Sequence, residues 1–511
     1  MPKQSIGSTA SGLIMPMVAE TRHSSDHPLK MAESVERRVL AERKTEQAAV
    51  TSTQSEGQAG SGLLRLRQAA RRDASLRFNN LLHHVSVDRL EQAYLSLKRQ
   101  AATGVDGQTW EGYGANLQEN LQDLHRRIHT GSYRPKPSRR IWIPKADGRQ
   151  RPIGVAALED KIVQQALVWV LESIFDEDFL GFSYGFRPGR GQHQALDALY
   201  MALTSRKVSW VLDADIQGFF DHLDHEWLMQ FVSHRVSDRR VLDILVRTLR
   251  AGVDDDGRRE RTRVGTPQGA VISPLLANIY LHFVLDLWVH QWRQRHARGE
   301  VYMVRYADDF VLGFQYHSDG LAFHAALKER LAQFGLSLHP DKTRLIEFGR
   351  FAGSNRKARG QGKPESFDFL GFTHLCAVRR SDGLYTVRRH TIAARQRAIL
   401  ARTREWLMKN RCIPVHDQGR RIRRMLTGLI QYYGVPGNLL WRSRQPAFTG
   451  CIPQRTLSAV AQSPSSPWQQ APDQLVHHDP ADPAMGAQCT YRSPLPESTL
   501  ERLTRSRSRM R

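Results

Sequence analysis

Cysteine is scarce in this chain, and the four that occur are scattered. Cys376, Cys412, Cys451 and Cys489 show no Cys-x-x-Cys spacing, which argues against a disulfide framework and against a cysteine-ligated zinc site. Long hydrophobic runs are also missing, and the amino terminus lacks a basic segment followed by an apolar one, so we expect neither a membrane span nor a secretion signal. The chain is predicted to be cytoplasmic.

Acidic residues are too few to balance the basic ones. With 74 Lys and Arg against 51 Asp and Glu, the 511-residue chain carries a formal charge of +23. Basic side chains that neutralise phosphates release counterions, and this release supplies most of the non-specific affinity for nucleic acid. A nucleic-acid partner is therefore favoured over a basic protein that is merely soluble. The length predicts about three domains.

The hydrophobic pattern divides the chain into five parts. Residues 1–60 are polar and are predicted to be a disordered leader. Residues 61–137 are predicted to be a helical extension, with a helical pattern from Leu63 to Ala101 that is clearest at Leu90 to Leu97, and a second helix over Leu117–Ile128. Residues 138–376 alternate between strand-like segments (140–144, 208–215) and helix-like segments (160–174, 321–334), which predicts an α+β body.

The carboxyl-terminal parts are basic and then rich in proline. Residues 377–444 hold 16 basic and 3 acidic side chains, and helices are expected at about 392–410 and 419–433. Arg395, Arg402, Arg420 and Arg424 alternate there with apolar residues, which favours contact with nucleic-acid phosphates over a merely solvated face. The segment 377–445 is predicted to be a basic helical domain, and 446–511 a disordered tail rich in Pro, Ser and Arg.

An acidic pair at the centre of an apolar segment is the strongest chemical signal. Residues 301–313 read as two β-rich arms around Asp308 and Asp309, which predicts a hairpin with adjacent carboxylates at its bend. A plain Asp-rich turn is the alternative. Neighbouring carboxylates repel each other when buried, and a divalent cation removes that cost.

A second acidic strand end strengthens the prediction of a metal site. In Val211-Leu-Asp-Ala-Asp215, the alternation of a strand places Asp213 and Asp215 on one face. If this strand lies beside the hairpin, Asp215 meets Asp308, and three such carboxylates can hold two Mg²⁺ ions about 4 Å apart, as nucleotidyl transfer requires. Asp213 is expected to support the strand rather than the metals.

These segments resemble the reverse transcriptases, and most closely the bacterial group II intron-encoded reverse transcriptase/maturase family. The resemblance covers about residues 62–444. It is carried by the following blocks: Gly104–Gly107, Ile143–Pro152, Ser183–Pro188, Val211–Asp221, Gly265–Pro274, Tyr306–Asp309, Pro340–Thr343, Phe369–Phe372 and Tyr432–Asn438.

The resemblance implies a right-hand polymerase fold, with fingers and palm followed by a helical thumb/maturase domain, and assigns roles to individual residues. Asp215, Asp308 and Asp309 would be the catalytic residues and, with Ile216, would hold two Mg²⁺ ions, for which Mn²⁺ is a possible substitute. Nucleotide-binding roles fall on Lys145, Arg151, Phe220, Gln268 and Lys342. Lys145 and Arg151 would grip the triphosphate, Phe220 would screen the sugar 2′ position, Gln268 would line the pocket and Lys342 would act on the leaving pyrophosphate.

The implied function is RNA-directed DNA polymerisation, in which a primer 3′-hydroxyl is extended with deoxynucleoside triphosphates on an RNA template. The implied partner is group II intron RNA, bound to aid splicing and mobility, and the implied location is the bacterial cytoplasm at the nucleoid. A non-catalytic splicing cofactor is the alternative, because the helical pattern breaks at 445–450 as if the reading frame had changed. A palm-fold nucleotidyl cyclase would leave the blocks at 143–152 and 265–274 unexplained.

Overall fold

The computed structural model describes residues 57–144, 150–255, 257–260, 264–266, 269–379 and 381–438. The predictions for Lys145, Gln268, the leader up to residue 56 and the tail after 445 lie outside these residues. In the described part, no helix is both long and apolar enough to span a membrane.

Helices make up much of the described chain. In chain order they are α1 Gly57–Arg72, α2 Val87–Ser96, α3 Trp110–Gly114, α4 Leu117–His129, α5 Leu158–Asp178, α6 Gln192–Ser205, α7 Phe219–His222, α8 His225–Ser233, α9 Arg239–Arg250, α10 Ser273–Leu281, α11 Leu287–Arg295, α12 His317–Ala332, α13 Ala352–Ala358, α14 Ala393–Lys409 and α15 Val415–Tyr433. A π-helical turn, His282–Asp286, joins α10 to α11. Helix α1 begins inside the segment that was predicted to be a disordered leader.

The strands form three sheets, so the fold is α+β as predicted. In chain order they are β1 Ser138–Pro144, β2 Gln150–Val155, β3 Trp210–Asp215, β4 Val253–Asp255, β5 Arg258–Glu260, β6 Val301–Tyr306, β7 Asp309–Phe314, β8 Arg344–Glu347, β9 Phe367–Phe369, β10 Phe372–Val378 and β11 Tyr385–Thr391. The sheet orders are β2-β1-β4-β5, β6-β7-β3-β8 and β11-β10-β9.

Two helices begin earlier than the sequence predicted, and each of them contains a glycine near its start. Glycine is a poor helix former, so a helix that includes one is harder to predict from sequence. The prediction began α12 at Leu321, but the helix starts at His317 and includes Gly320. A Cβ at Gly320 would lie 2.9 Å from a methyl of Leu345, so this glycine lets α12 pack closely over β8. Helix α15 likewise starts at Val415 rather than 419, directly after Pro414 (φ −54°), a backbone angle that suits a helix start.

The sheet of β6, β7, β3 and β8, called the central sheet below, is covered on both faces. Leu212, Phe310 and Leu312 pack into the larger hydrophobic core with α5 and α10. Val211 and Val311 point the other way, into a second core. Because successive side chains of a strand alternate between faces, Asp213 and Asp215 share the face of Val211. At this end of the sheet the core stops and the carboxylates reach an open cleft.

Helices α14 and α15, called the helical pair below, have a much smaller core of their own. It consists of buried Leu407 and Ile422 with a ring of partly buried apolar neighbours. The pair is joined to the rest of the chain near the end of α15, where the Tyr432 hydroxyl donates to the Leu370 carbonyl at 2.8 Å. Tyr433 packs in the second core beside the central sheet.

Candidate active site

The register of the central sheet brings together acids that are far apart in the chain. Strands β3 and β7 are antiparallel, and Asp215 lies directly opposite Asp309. Directly opposed residues of an antiparallel pair project from the same face. Asp308 occupies the turn between β6 and β7, where Tyr306 pairs with Asp309. The sequence predicted that Asp215 meets Asp308; the structure pairs Asp215 with Asp309 and places Asp308 in the adjoining turn.

The turn that carries Asp308 is held in a left-handed conformation. Ala307 has φ +58°, which costs energy for any residue with a Cβ. Its carbonyl accepts a hydrogen bond from Nη1 of Arg305 at 2.9 Å. Arg305 is fully buried and lies opposite Phe310 in the sheet, on the face away from Asp309. The turn that carries Asp308 is therefore supported by a buried guanidinium on the opposite face of the sheet.

That guanidinium uses all of its nitrogens. Its Nε and Nη2 donate to the two carboxylate oxygens of buried Asp286 at 2.7 and 2.5 Å. Nη1 also donates to Oδ1 of Asn278 at 3.0 Å, and Nη2 donates to the Ser183 hydroxyl at 2.7 Å. A bidentate ion pair of this kind fixes the orientation of the guanidinium as well as its distance from the carboxylate. Arg305 is thus a positioning residue that ties β6 to α10 and to the π-helical turn.

The backbone of the segment at Ser183 presses against the same turn. The Tyr184 N–H donates to the Arg305 carbonyl at 2.9 Å, and the Arg305 N–H donates to the Phe182 carbonyl at 2.9 Å. A Cβ at Gly185 would lie 2.3 Å from the Ala307 nitrogen. Only glycine fits at such a distance, so this block of the sequence serves to brace the turn.

Burial and mutual repulsion raise the pKa values of the carboxylates. Protein atoms around Asp309 raise its pKa to about 6, and the nearby carboxylates of Asp308 and Asp215 add to the rise. Burial also raises the pKa of Asp308 and brings that of Asp213 to about 7. The carboxylate of Asp309 still has one side open to solvent. The arrangement is one in which a cation would be stabilising.

Asp213, Asp215 and Asp309 line an open cleft of about 520 Å³ between the central sheet and β9. Lys342 lies at its edge and donates from Nζ to Oδ2 of Asp215 at 2.5 Å. Arg344 is 3.9 Å from Asp213 and half-exposed. Asp341 and Asp368 complete the charged lining. The cleft thus combines acids at the strand ends with two cations along one wall.

Comparison with known proteins identifies this arrangement. Residues 143–374 match the family described as reverse transcriptase (RNA-dependent DNA polymerase). The chain is 37% identical to protein YkfC of Escherichia coli over 273 residues, which is 47% of this chain and 71% of that protein. It is 34% identical to the group II intron-encoded protein LtrA of Lactococcus lactis over 40% of this chain and 34% of LtrA. A putative COX1/OXI3 intron 1 protein of Saccharomyces cerevisiae is 31% identical over 44% of this chain and 27% of that protein.

The chain belongs to the group II intron-encoded reverse transcriptase/maturase family. Its enzyme class is accordingly that of an RNA-directed DNA polymerase, a nucleotidyltransferase. The matched segment contains the strands that carry Asp215, Asp308 and Asp309. The chain spans about a third of LtrA and 71% of YkfC.

The acids of this reverse transcriptase suit divalent cations by their chemistry. Mg²⁺ prefers oxygen ligands and is usually bound through one or two carboxylates together with substrate phosphates, rather than in a complete protein cage. Among the described residues, no three Asp, Glu, His or Cys side chains are grouped so that they could hold a metal ion by themselves. The facing pair Asp215 and Asp309 on the open side of the sheet, with Asp308 in the adjoining turn, are the carboxylates that could hold such ions. Ile216, the fourth residue that the sequence proposed as a metal ligand, comes directly after Asp215 in the chain and is buried.

Of the nucleotide-binding residues that the sequence proposed, Arg151, Phe220 and Lys342 belong to the described part of the chain. Arg151 on β2 is close enough for its charge to act on Asp308. Phe220 follows β3 in α7, and its carbonyl accepts the N–H of Thr266 at 2.8 Å. A Cβ at Gly269 would lie 2.7 Å from Ile153, so the 265–274 block packs against β2.

The four arginines proposed to contact nucleic acid are all exposed on the helical pair, but they do not share one location. Arg395 comes to the edge of the active site: its Nη1 would be 2.8 Å from a Cβ at Gly371, and its charge acts on Asp309. Arg420 is ion-paired with Asp417. Arg402 and Arg424 offer their guanidinium groups on the outer surface.

Sequence reasoning missed the buried support of the turn. Arg305 and Asp286 were not proposed as functional residues, and the segment Leu276–Asn278 was expected to line the nucleotide pocket rather than to bind Arg305. The signal was present, because Arg305 interrupts the apolar strand Val301–Tyr306 and Asp286 interrupts an apolar helix. A charge at an inward-facing position requires a buried partner, but the spacing alone does not say which residue that partner is.

Proposed function

We propose that this reverse transcriptase extends the 3′-hydroxyl of a primer with deoxynucleoside triphosphates on an RNA template. The observation that carries the proposal is the register that sets Asp215 opposite Asp309, with Asp308 in the adjoining braced turn. Two-metal nucleotidyl transfer requires this set of carboxylates on one open edge. The open cleft of about 520 Å³ beside Asp215 and Asp309 leaves room for the 3′ end of a primer to reach these carboxylates.

Asp215, Asp308, Asp309 and the main chain of Ile216 would hold two Mg²⁺ ions, or Mn²⁺ in their place. When bound, the ions supply charge neutralisation for the attacking hydroxyl and the departing pyrophosphate. The protein's own part is positioning. The carboxylates are fixed by the sheet and by Arg305, so little reorganisation is needed when the substrates bind.

The surrounding residues would select and orient the nucleotide. Arg151, together with Lys145, would hold the triphosphate; the charge of Arg151 acts on Asp308, which supports this role. Phe220 would pack against the sugar at C2′ and exclude a ribose hydroxyl, and Gln268 would contact the nucleotide from the 265–274 block. Lys342 is paired with Asp215, a position from which its ammonium group can neutralise the pyrophosphate as it leaves.

We further propose a right-hand arrangement with fingers and palm over 138–376 and a thumb/maturase domain over 377–445. The exposed arginines of α14 and α15 would contact group II intron RNA to aid splicing and mobility. The names of LtrA and of the yeast protein refer to introns, which supports the partner. The proposed location, the bacterial cytoplasm at the nucleoid, follows from that partner.

The test is primer extension by the full-length chain on an RNA template with Mg²⁺. Substitutions Asp215→Asn, Asp308→Asn and Asp309→Asn should each lower the extension rate by about a thousandfold or more, while RNA binding measured by filter retention stays near the wild-type value. Asp243→Asn, an exposed carboxylate on α9, is the matched control. Extension that survives all three substitutions would refute the proposal. Absence of extension by the wild-type chain, with RNA binding intact, would favour the non-catalytic splicing cofactor.

A further inference from the structure

Three residues other than glycine have a positive φ in the described part of the chain: Phe186 (+55°), Ala307 (+58°) and Leu370 (+47°). All three lie in segments that border the catalytic carboxylates. Left-handed backbone at residues with a Cβ costs stability and is concentrated at functional sites.

Local geometry accounts for two of the three. Ala307 forms the turn between β6 and β7 and is held by Arg305. Leu370 and Gly371 form a two-residue hairpin turn between β9 and β10, in which both residues have positive φ, as that turn type requires. Gly185 and Phe186 also form a turn, but it joins no pair of strands, and a bulky residue with a positive φ in a turn is unusual.

Phe186 is fixed between two anchored neighbours. On one side, the backbone of Gly185 packs against the Ala307 nitrogen. On the other side, the buried guanidinium of Arg187 donates to the Asp176 carboxylate at 2.7 Å and to the Ser183 carbonyl at 2.9 Å. Since both neighbours are held, the backbone of Phe186 is fixed, and with it the direction of the side chain.

The ring of Phe186 is exposed to solvent and lies beside the turn that carries Asp308. Phe186 is 51% exposed, and its ring centre is 6.3 Å from that of Tyr306, the residue that begins the Tyr306–Asp309 turn. An exposed phenyl ring gains little from folding, and the strained backbone beneath it is a cost. A flat apolar face held rigidly at this place suits a partner that presents another flat apolar face.

We propose that Phe186 stacks on the terminal base pair of the primer–template duplex. This inference rests on the proposed function, because it assumes that a primer end lies at Asp308 and Asp309. Nucleic-acid bases are the partner of matching chemistry, since stacking on aromatic side chains is independent of sequence. The ring would hold the primer end against the braced turn and so set the register of the 3′-hydroxyl.

The experiment separates the ring from the strain of its backbone. In the full-length chain carrying Asp309→Asn, binding is measured without chemistry, using a fluorescent DNA primer annealed to RNA. Phe186→Gly removes the ring and accepts a positive φ without strain, whereas Phe186→Trp keeps an aromatic face. We expect Phe186→Gly to raise the Kd for primer–template roughly tenfold with no fall in Tm, and Phe186→Trp to stay within about twofold of the parent. Phe351→Ala, at an exposed phenylalanine with φ −97°, is the matched control.

A second readout locates the contact. The fluorescence of 2-aminopurine at the primer terminus should change on binding to the parent and to Phe186→Trp but not to Phe186→Gly, and a probe far upstream should respond equally to all three. An unchanged Kd for Phe186→Gly, or an equal loss in Phe186→Trp with a lower Tm, would overturn the stacking contact. Failure of the wild-type chain to extend primers would refute the polymerase activity instead, since the binding comparison does not depend on turnover.

Discussion

The central sheet and the helical pair are built on opposite principles. In the sheet, a fully buried arginine uses all its nitrogens on fixed partners, and the acids it supports face each other by register. In the helical pair, the core has two buried residues, Leu407 and Ile422, and the arginines are exposed. The comparison teaches that buried, directional hydrogen bonds hold the proposed catalytic carboxylates in fixed positions. The proposed contacts with nucleic acid depend instead on exposed charges, whose positions need not be fixed.

The largest expected effect comes from removing the buried arginine that supports the turn at Asp308. Arg305→Met leaves the buried carboxylate of Asp286 without a partner, which should lower the free energy of unfolding by about 3–5 kcal/mol and abolish primer extension. The double variant Arg305→Met/Asp286→Leu should recover much of the stability but not the activity. Denaturant unfolding and extension rates test both.

Arg344→Met is the control for this prediction, because Arg344 lies in the same sheet but is half-exposed and 3.9 Å from Asp213. Its loss should change the free energy of unfolding by less than about 1 kcal/mol. Similar stability losses for Arg305→Met and Arg344→Met would contradict the distinction between buried and exposed charge.

The next largest effect concerns the small core of the helical pair. Ile422→Ala should destabilise the pair by about 2 kcal/mol or more. Because the pair has its own core, hydrogen exchange should speed up over 393–433, with 301–314 remaining protected. Equal loss of protection in both segments would show that the two regions unfold together.

Removing exposed charge should have a smaller and more gradual effect. Replacing Arg402, Arg420 and Arg424 together by Gln should lower the slope of log affinity against log salt by about 2, since each lost phosphate contact on a single strand contributes about 0.7. Primer extension on a saturating template should persist. Lys328→Gln, at an exposed position on α12, is the control, and an unchanged slope in the triple variant would place RNA binding elsewhere.

The smallest expected effect is a difference in pH response. Burial raises the pKa of Glu172 on α5 to about 7, so the folded state retains a proton that the unfolded state loses above its ordinary pKa of 4.5. The free energy of unfolding should therefore fall as the pH rises from about 4.5 to about 7. Glu172→Gln should remove this contribution and stabilise the chain at pH 8.

An exposed carboxylate of the helical pair should respond with the opposite sign. The hydrogen bond from Lys409 lowers the pKa of Glu405, so its contribution is present above the ordinary pKa and is lost as the pH falls. Thermal unfolding of Glu172→Gln and Glu405→Gln between pH 4 and pH 8 tests both signs. A shift of the same sign in the two variants would be incompatible with these pKa directions.

Much of the fold was accessible from local pattern. Alternation in β3 correctly placed Asp213 and Asp215 on one face, and the predicted helix over Leu117–Ile128 lies within one residue of α4. The sequence correctly brought Asp215 close to Asp308, whose pKa the Asp215 carboxylate raises. It did not predict that Asp215 lies directly opposite Asp309, because register depends on the two-residue turn and on neighbouring strands. The partner of Arg305 was also inaccessible, since the choice among buried acids is made by tertiary packing.

The wide turn at His282–Asp286 determines which way a helix presents its polar groups. Asn278 and Asp286 are eight positions apart, and a regular α-helix would rotate the second by roughly 80° away from the first. The π-helical turn contains one more residue than an α-helical turn and so reduces the rotation between the two positions. Both side chains therefore contact the guanidinium of Arg305. Deleting one residue from the turn would leave Asn278 and the acid seven positions apart in a regular α-helix, within about 20° of each other, so a chain shortened in this way should keep both contacts with the guanidinium.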